Sequence, residues 1–165
     1  MLALEDGRVF SGMGWGADGV QTGELVFNTS MTGYQEILTD PSYYKQIVTM
    51  TVSHVGNTGI NIEDVESEKV WVSGFVVRSL SPVVSNWRNR GDLNGYLREQ
   101  GVIGLSEVDT RALVRHIRSK GVMRAAIANG EQAKDTQALI ELARQSPDMS
   151  GWNLVDDVTT PEAYN

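Results

Sequence analysis

No cysteine occurs among the 165 residues, and histidine occurs only twice, at His54 and His116. The first absence excludes a disulfide framework, a thiolate zinc site and a cysteine nucleophile supplied by this chain. The second excludes a histidine-rich metal site, because structural zinc normally takes four protein ligands. Positive charge is also scarce: 14 Lys and Arg stand against 21 Asp and Glu, for a formal charge of −7. Nonspecific nucleic-acid binding rests on Lys and Arg displacing phosphate counterions, so this balance argues against it. No apolar run reaches the roughly 18 residues that a membrane span needs. The opening Met1–Gly7 has neither the basic nor the apolar region of a secretory signal. The expected setting is therefore the cytoplasm, with no nucleic acid and no membrane as partner. Gly-x-Ser-x-Gly and Gly-Lys-Ser/Thr are missing too, and no complete catalytic set can be assembled.

What is present suffices for one compact domain and a short tail. A chain of this length buries about two-thirds of its unfolded surface and holds a core without staples. Leu2–Leu4 and Val9–Phe10 flank Asp6-Gly7, which predicts a strand–turn–strand opening. Residues 24–28 and 46–52 read as β-branched strands, and residues 71–77 as a strand buried on both faces. Thr32-Gly-Tyr-Gln35 has the spacing of a capping box and predicts a short helix through Leu38, stopped by Asp40-Pro41. Beyond Asp92 the pattern alternates. Helices are expected over 92–100, after Asp109 up to Gly121, and over 135–145, with strands at 102–105 and 122–128. That alternation points to an α/β fold with partly parallel pairing. The expected division is a domain over 1–150 and a linker over 151–165, whose composition has turn chemistry and no core pattern.

Each chemically suggestive group has a plain competitor. Gly14-Trp-Gly-Ala-Asp-Gly19 matches a dinucleotide-binding glycine pattern, but a strand follows where a helix N-terminus is required, so a glycine-rich hairpin or loop is expected. Glu63, Asp64, Glu66 and Glu68 lack calcium-loop spacing and read as a solvated acidic face. Arg111, Arg115 and Arg118 fall at i, i+4 and i+7, one stripe on a helix whose Leu113 and Ile117 face the core. That stripe is either a solvated face or a subunit contact, since the guanidinium fork suits interface carboxylates. Both histidines read as structural or hydrogen-bonding. Ser42, after Asp40-Pro41, either stabilises the turn or contacts a ligand.

The longer strings resemble one family. Phe27-Asn-Thr-Ser-Met-Thr-Gly-Tyr-Gln-Glu-Ile-Leu-Thr-Asp-Pro-Ser-Tyr43 is similar to the N-terminal region of the small subunit of glutamine-dependent carbamoyl-phosphate synthase. His54-Val-Gly-Asn57, Gly59-x-Asn61, Ser85-Asn-Trp-Arg-Asn89, Asp109-Thr-Arg111, Val158-Thr-Thr160 and Glu162-Ala-Tyr164 follow in the same order. The resemblance implies a three-layer β/β/α swivelling domain with mixed parallel and antiparallel sheets, acting as scaffold and docking module. It implies a separate C-terminal glutaminase domain with a Cys–His–Glu centre, and a large subunit that makes carbamoyl phosphate for arginine and pyrimidine biosynthesis. In that arrangement this chain carries no catalytic residue and no cofactor, and ATP with its metal belongs to the large subunit. Ser42 matches a family serine that reaches the bound L-glutamine across the domain boundary. One departure stands out: Val52-Ser53 replaces the family's usual Tyr-Pro, which frees the loop backbone and restores an N–H donor before His54. The alternative expectation is a free-standing protein- or anion-binding β/α module.

Overall fold

A computed structural model describes residues 1–149, 151 and 153–159. The chain opens with the expected hairpin, β1 (Leu2–Leu4) against β2 (Val9–Phe10). Gly7 at its turn has φ 92°, a left-handed conformation that side chains resist. There follow β3 (Met13–Gly16), β4 (Gly19–Asn28), α1 (Tyr34–Thr39), β5 (Gln46–Met50) and β6 (Gly74–Val76). Then come α2 (Leu93–Glu99), β7 (Ile103–Ser106), α3 (Thr110–Lys120), β8 (Met123–Asn129), α4 (Thr136–Gln145) and α5 (Val155–Val158). The eight strands among the described residues join one sheet in the order β2-β1-β8-β4-β5-β6-β7-β3. The pairs β4–β5, β5–β6 and β6–β7 are parallel and the rest antiparallel. The α/β class with mixed pairing is as expected.

The sheet curls until its two halves face each other. Ile127 of β8 packs against the bare backbone of Gly74 in β6, and the Asn129 side chain sits on Gly14 of β3. Between the halves lie Leu2, Leu4, Leu25, Ile47, Val76, Ile103, Leu105 and Ile127, closed at one end by Leu113 and Ile117 of α3. Alternation then sends Ala3, Ala126 and Ala128 to the opposite face, under Leu139, Ile140 and Ala143 of α4. On the other side of the sheet Val48, Met50 and Phe75 pack with Ile37, Leu38, Leu93 and Leu97. Asp92, Asp109 and Asp135 each cap a helix by accepting the amide of the third residue onward, at 2.8–2.9 Å.

Several local expectations change. The glycine-rich stretch is a strand, β3, because Trp15 pairs across from Gly104 and lies over it, burying its ring edge-on to Phe75 with centroids 6.3 Å apart. The apolar run 71–77 is a strand only at Gly74–Val76. Thr32 does not cap α1: Gly33, at φ 78°, takes the cap position with no side-chain bond. The tail holds one helical turn, α5, whose Asp157 lies 3.9 Å from Lys45. Of the expected 151–165 linker, residues 152 and 160–165 are outside the described residues.

His116 fastens α3 to the first hairpin. Arg8 can only donate, so Nδ1 of His116 accepts from it at 3.2 Å and Nε2–H is left for Asp6 at 2.7 Å. Partial burial by itself would raise the Asp6 carboxyl. Hydrogen bonds from the Arg8 amide and His116, with the positive charge of Lys120, outweigh it and hold the group below its ordinary range.

Two outcomes are expected. Gly104→Ala forces a methyl into the Trp15 ring and should cost about 1–3 kcal/mol in denaturant unfolding. A carboxyl whose pKa is lowered by folding stabilises above its unfolded pKa, and that contribution is lost as pH falls through the folded value. Asp6→Asn should therefore lower the melting temperature at neutral pH, and the difference from wild type should vanish in strong acid.

Candidate functional site

Three of the recognised strings converge in one cluster of loops. Gln35, on α1, is buried and turns inward. Its Nε2 donates to the Asn61 carbonyl at 2.6 Å and its Oε1 accepts the Asn61 amide at 3.0 Å. A side-chain amide thus pairs with a backbone peptide as a neighbouring strand would. Asn61 in turn uses Oδ1 to hold the amides of Glu63 and Asp64, and Nδ2 to reach the Asp64 carboxylate at 2.7 Å. Arg88 closes the cluster on Glu63 at 2.9 Å and Asp64 at 3.2 Å. These two acids therefore belong to an ion-pair network, not to a purely solvated face. Tyr34 donates to the Gly59 carbonyl at 2.6 Å, and burial pushes its phenol up to about 12, so it stays neutral. Beside this rigid cluster, exposed large apolar side chains stand on each loop: Met31 (82%), Ile62 (77%) and Trp87 (90%).

Ser42 lies in a 3-10 turn, Pro41–Tyr43, directly after α1. The Asp40 carboxylate accepts the Ser42 amide at 2.8 Å, so the side-chain bond that holds the turn comes from Asp40. Ser42 itself is exposed, and its hydroxyl makes no hydrogen bond among the described residues. His54 is exposed in the loop after β5, with no hydrogen bond to its ring among the described residues. The structural role expected for it is met only by His116. Val52 is half-buried against the α1 side of the core and Ser53 is exposed.

The arginine row forms as spaced. Arg111, Arg115 and Arg118 share the outer face of α3, opposite the buried Leu113 and Ile117. With Thr51, Thr110 and Val114 they line a cleft of about 320 Å³. An adjoining hollow of about 330 Å³ is lined by Thr51, Ser53, Arg78, Asp109, Thr110 and Arg111. Both open where β5 and β6 end, on the side of the sheet that α3 covers. Among the described residues no three His, Asp or Glu side chains converge as a metal site would need, and no helix is long and apolar enough to cross a membrane.

The curled mixed sheet with helices packed on its faces defines an α/β domain. The chain belongs to the carbamoyl-phosphate synthase small chain family, whose CPSase-domain model matches residues 2–127. It is 55% identical over 164 residues to the carbamoyl phosphate synthase small chain of Streptomyces avermitilis, covering 99% of this chain and 43% of that protein. The small chain of Aquifex aeolicus is 53% identical over 164 residues, 99% of this chain and 44% of that protein. That of Vibrio parahaemolyticus is 51% identical, over 99% and 43%. The chain thus spans less than half the length of the curated relatives it matches. A solved aminopeptidase from Aneurinibacillus sp. strain AM-1 overlaps at a TM-score of 0.41 and 16% identity, across 77% of this chain and 29% of that one.

Replacing Gln35 with Ala strips the Asn61 peptide of both its partners in a buried place. Unpaired buried groups cost about 1–3 kcal/mol each. A loss of at least that size is expected in denaturant unfolding, with faster amide exchange at Asn61, Glu63 and Asp64.

Proposed function

We propose that this chain is the N-terminal scaffold and subunit-docking domain of a glutamine-dependent carbamoyl-phosphate synthase small chain. The observation that carries this reading is identity of 51–55% with such small chains across 99% of the chain, aligned to 43–44% of their length. On this reading residues 1–150 are the domain and 151–165 lead toward a glutaminase domain, in the cytoplasm. This chain has no cysteine, so a thiolate attack on the glutamine amide must come from that further domain. Ammonia released there passes to the large subunit, which binds ATP and its metal and forms carbamoyl phosphate. The domain's task is positional: it holds the glutaminase against the large subunit so that ammonia transfers without entering water. The exposed Ile62 and Trp87, flanking the hydrogen-bonded Asn61 and Arg88, support such a task, because apolar side chains carried by a chain already held by hydrogen bonds lose less entropy on docking.

Ser42 is the residue proposed to touch the substrate. Its turn is fixed by Asp40, and its hydroxyl is turned to solvent with no partner among the described residues. A hydroxyl contact of this kind contributes about 0.5–1.5 kcal/mol, roughly a two- to tenfold effect on affinity. In the assembled small and large chains, Ser42→Ala should raise the glutamine KM by that factor and leave ammonia-dependent synthesis unchanged. Equal losses with both nitrogen donors would show that Ser42 serves folding or docking instead.

A further inference from the structure

Most cations with a defined partner in this acidic chain pair with carboxylates: Arg88 with Glu63 and Asp64, Arg124 with Glu5, and Lys134 with Glu131. Arg111, Arg115 and Arg118 do not. All three are exposed, and none has an ion pair or hydrogen bond among the described residues. Their helix is not free to roll. Leu113 and Ile117 anchor one face in the core, and His116 is held by Asp6 and Arg8 on the flank. The row is therefore a fixed cationic edge in a protein whose net charge is −7.

The shape of the row selects its ligand. Seven residues of helix separate Arg111 from Arg118, a rise of about 10 Å. Carboxylates on one face of an extended chain recur about every 6.6–6.8 Å, so two or three alternating acids match that length. A single phosphate has no comparable length. The floor adds donors suited to a carboxylate: Thr51, and Thr110, which is only 5% exposed yet lines the cleft with no side-chain bond among the described residues. At the Arg111 end the Asp109 carboxylate lines the adjoining hollow and limits how far an anion extends that way. Guanidinium groups bind carboxylates bidentately, which fixes register as well as affinity.

We propose that the α3 cleft clamps an extended acidic segment of the large chain, with its carboxylates taken by Arg111, Arg115 and Arg118. This rests on the docking reading above and assigns the chemistry of one of its contacts. The test uses the complete small chain and the large chain, with affinity measured at low and high salt. Wild type is compared with two triple variants: Arg111→Gln, Arg115→Gln, Arg118→Gln and Arg111→Glu, Arg115→Glu, Arg118→Glu. The glutamine set should weaken docking tenfold or more and flatten its salt dependence, and the glutamate set should weaken it further. All three positions are exposed, so the variants should melt with wild type; if the glutamate set does not fold, the glutamine set decides. Wild-type affinity and salt dependence in a folded glutamine set would overturn the clamp while the docking reading stands. Failure of wild type to bind the large chain would overturn both. Arginine-dependent stabilisation of the isolated chain by tripolyphosphate, with normal docking of the glutamine set, would also overturn it by marking a small-anion site.

Discussion

The contact between Ile127 and the bare backbone of Gly74 lets one sheet behave as two layers. A side chain at residue 74 would hold β6 away from β8, and the apolar residues of β1, β5 and β7 would face water instead of one another. Gly14 does the same work at the other edge, where the Asn129 side chain occupies the space that a methyl group would need, and Gly104 makes room for the Trp15 ring of the neighbouring strand. Because β8 is paired on both edges and packed on both faces, it places alanines, Ala126 and Ala128, where α4 lies directly over it. The core therefore depends on absent side chains as much as on large ones.

This explains which parts of the fold were legible in the sequence. Hairpin, caps and helix ends are local chemistry, and Asp6-Gly7, Asp92, Asp109 and Asp135 perform as their residue types predict. Strand β3 was not legible, since its glycines make room for distant groups, Gly14 for the Asn129 side chain and Gly16 for the Val102 carbonyl, and its Trp15 pairs with Gly104, 89 positions away in sequence. The capping box at Thr32 failed for a similar reason. Gln35 has the right spacing to reach back to the helix start, but a buried peptide at Asn61 offers two hydrogen bonds where solvent would compete for one.

The site divides in the same way. The arginine row follows from helical period alone, and its position over the ends of β5 and β6 makes it a cleft. The loop cluster could be named from its strings but not drawn from them. Nothing in the acidic run 63–68 signals that Arg88 will neutralise two of its members, because that pairing reaches across 24 and 25 residues that include strand β6. Exposure of Trp87 beside Arg88 is likewise a property of the folded loop.

The hook between His116 and Asp6 joins parts of the chain that are 110 residues apart, and it ties down one flank of the helix that carries the arginines. A surface turn thus constrains a helix that the chain reaches only a hundred residues later. Variation at that turn would be felt at the far end of the sequence, as a loosened flank of α3, without touching the core that the helix covers.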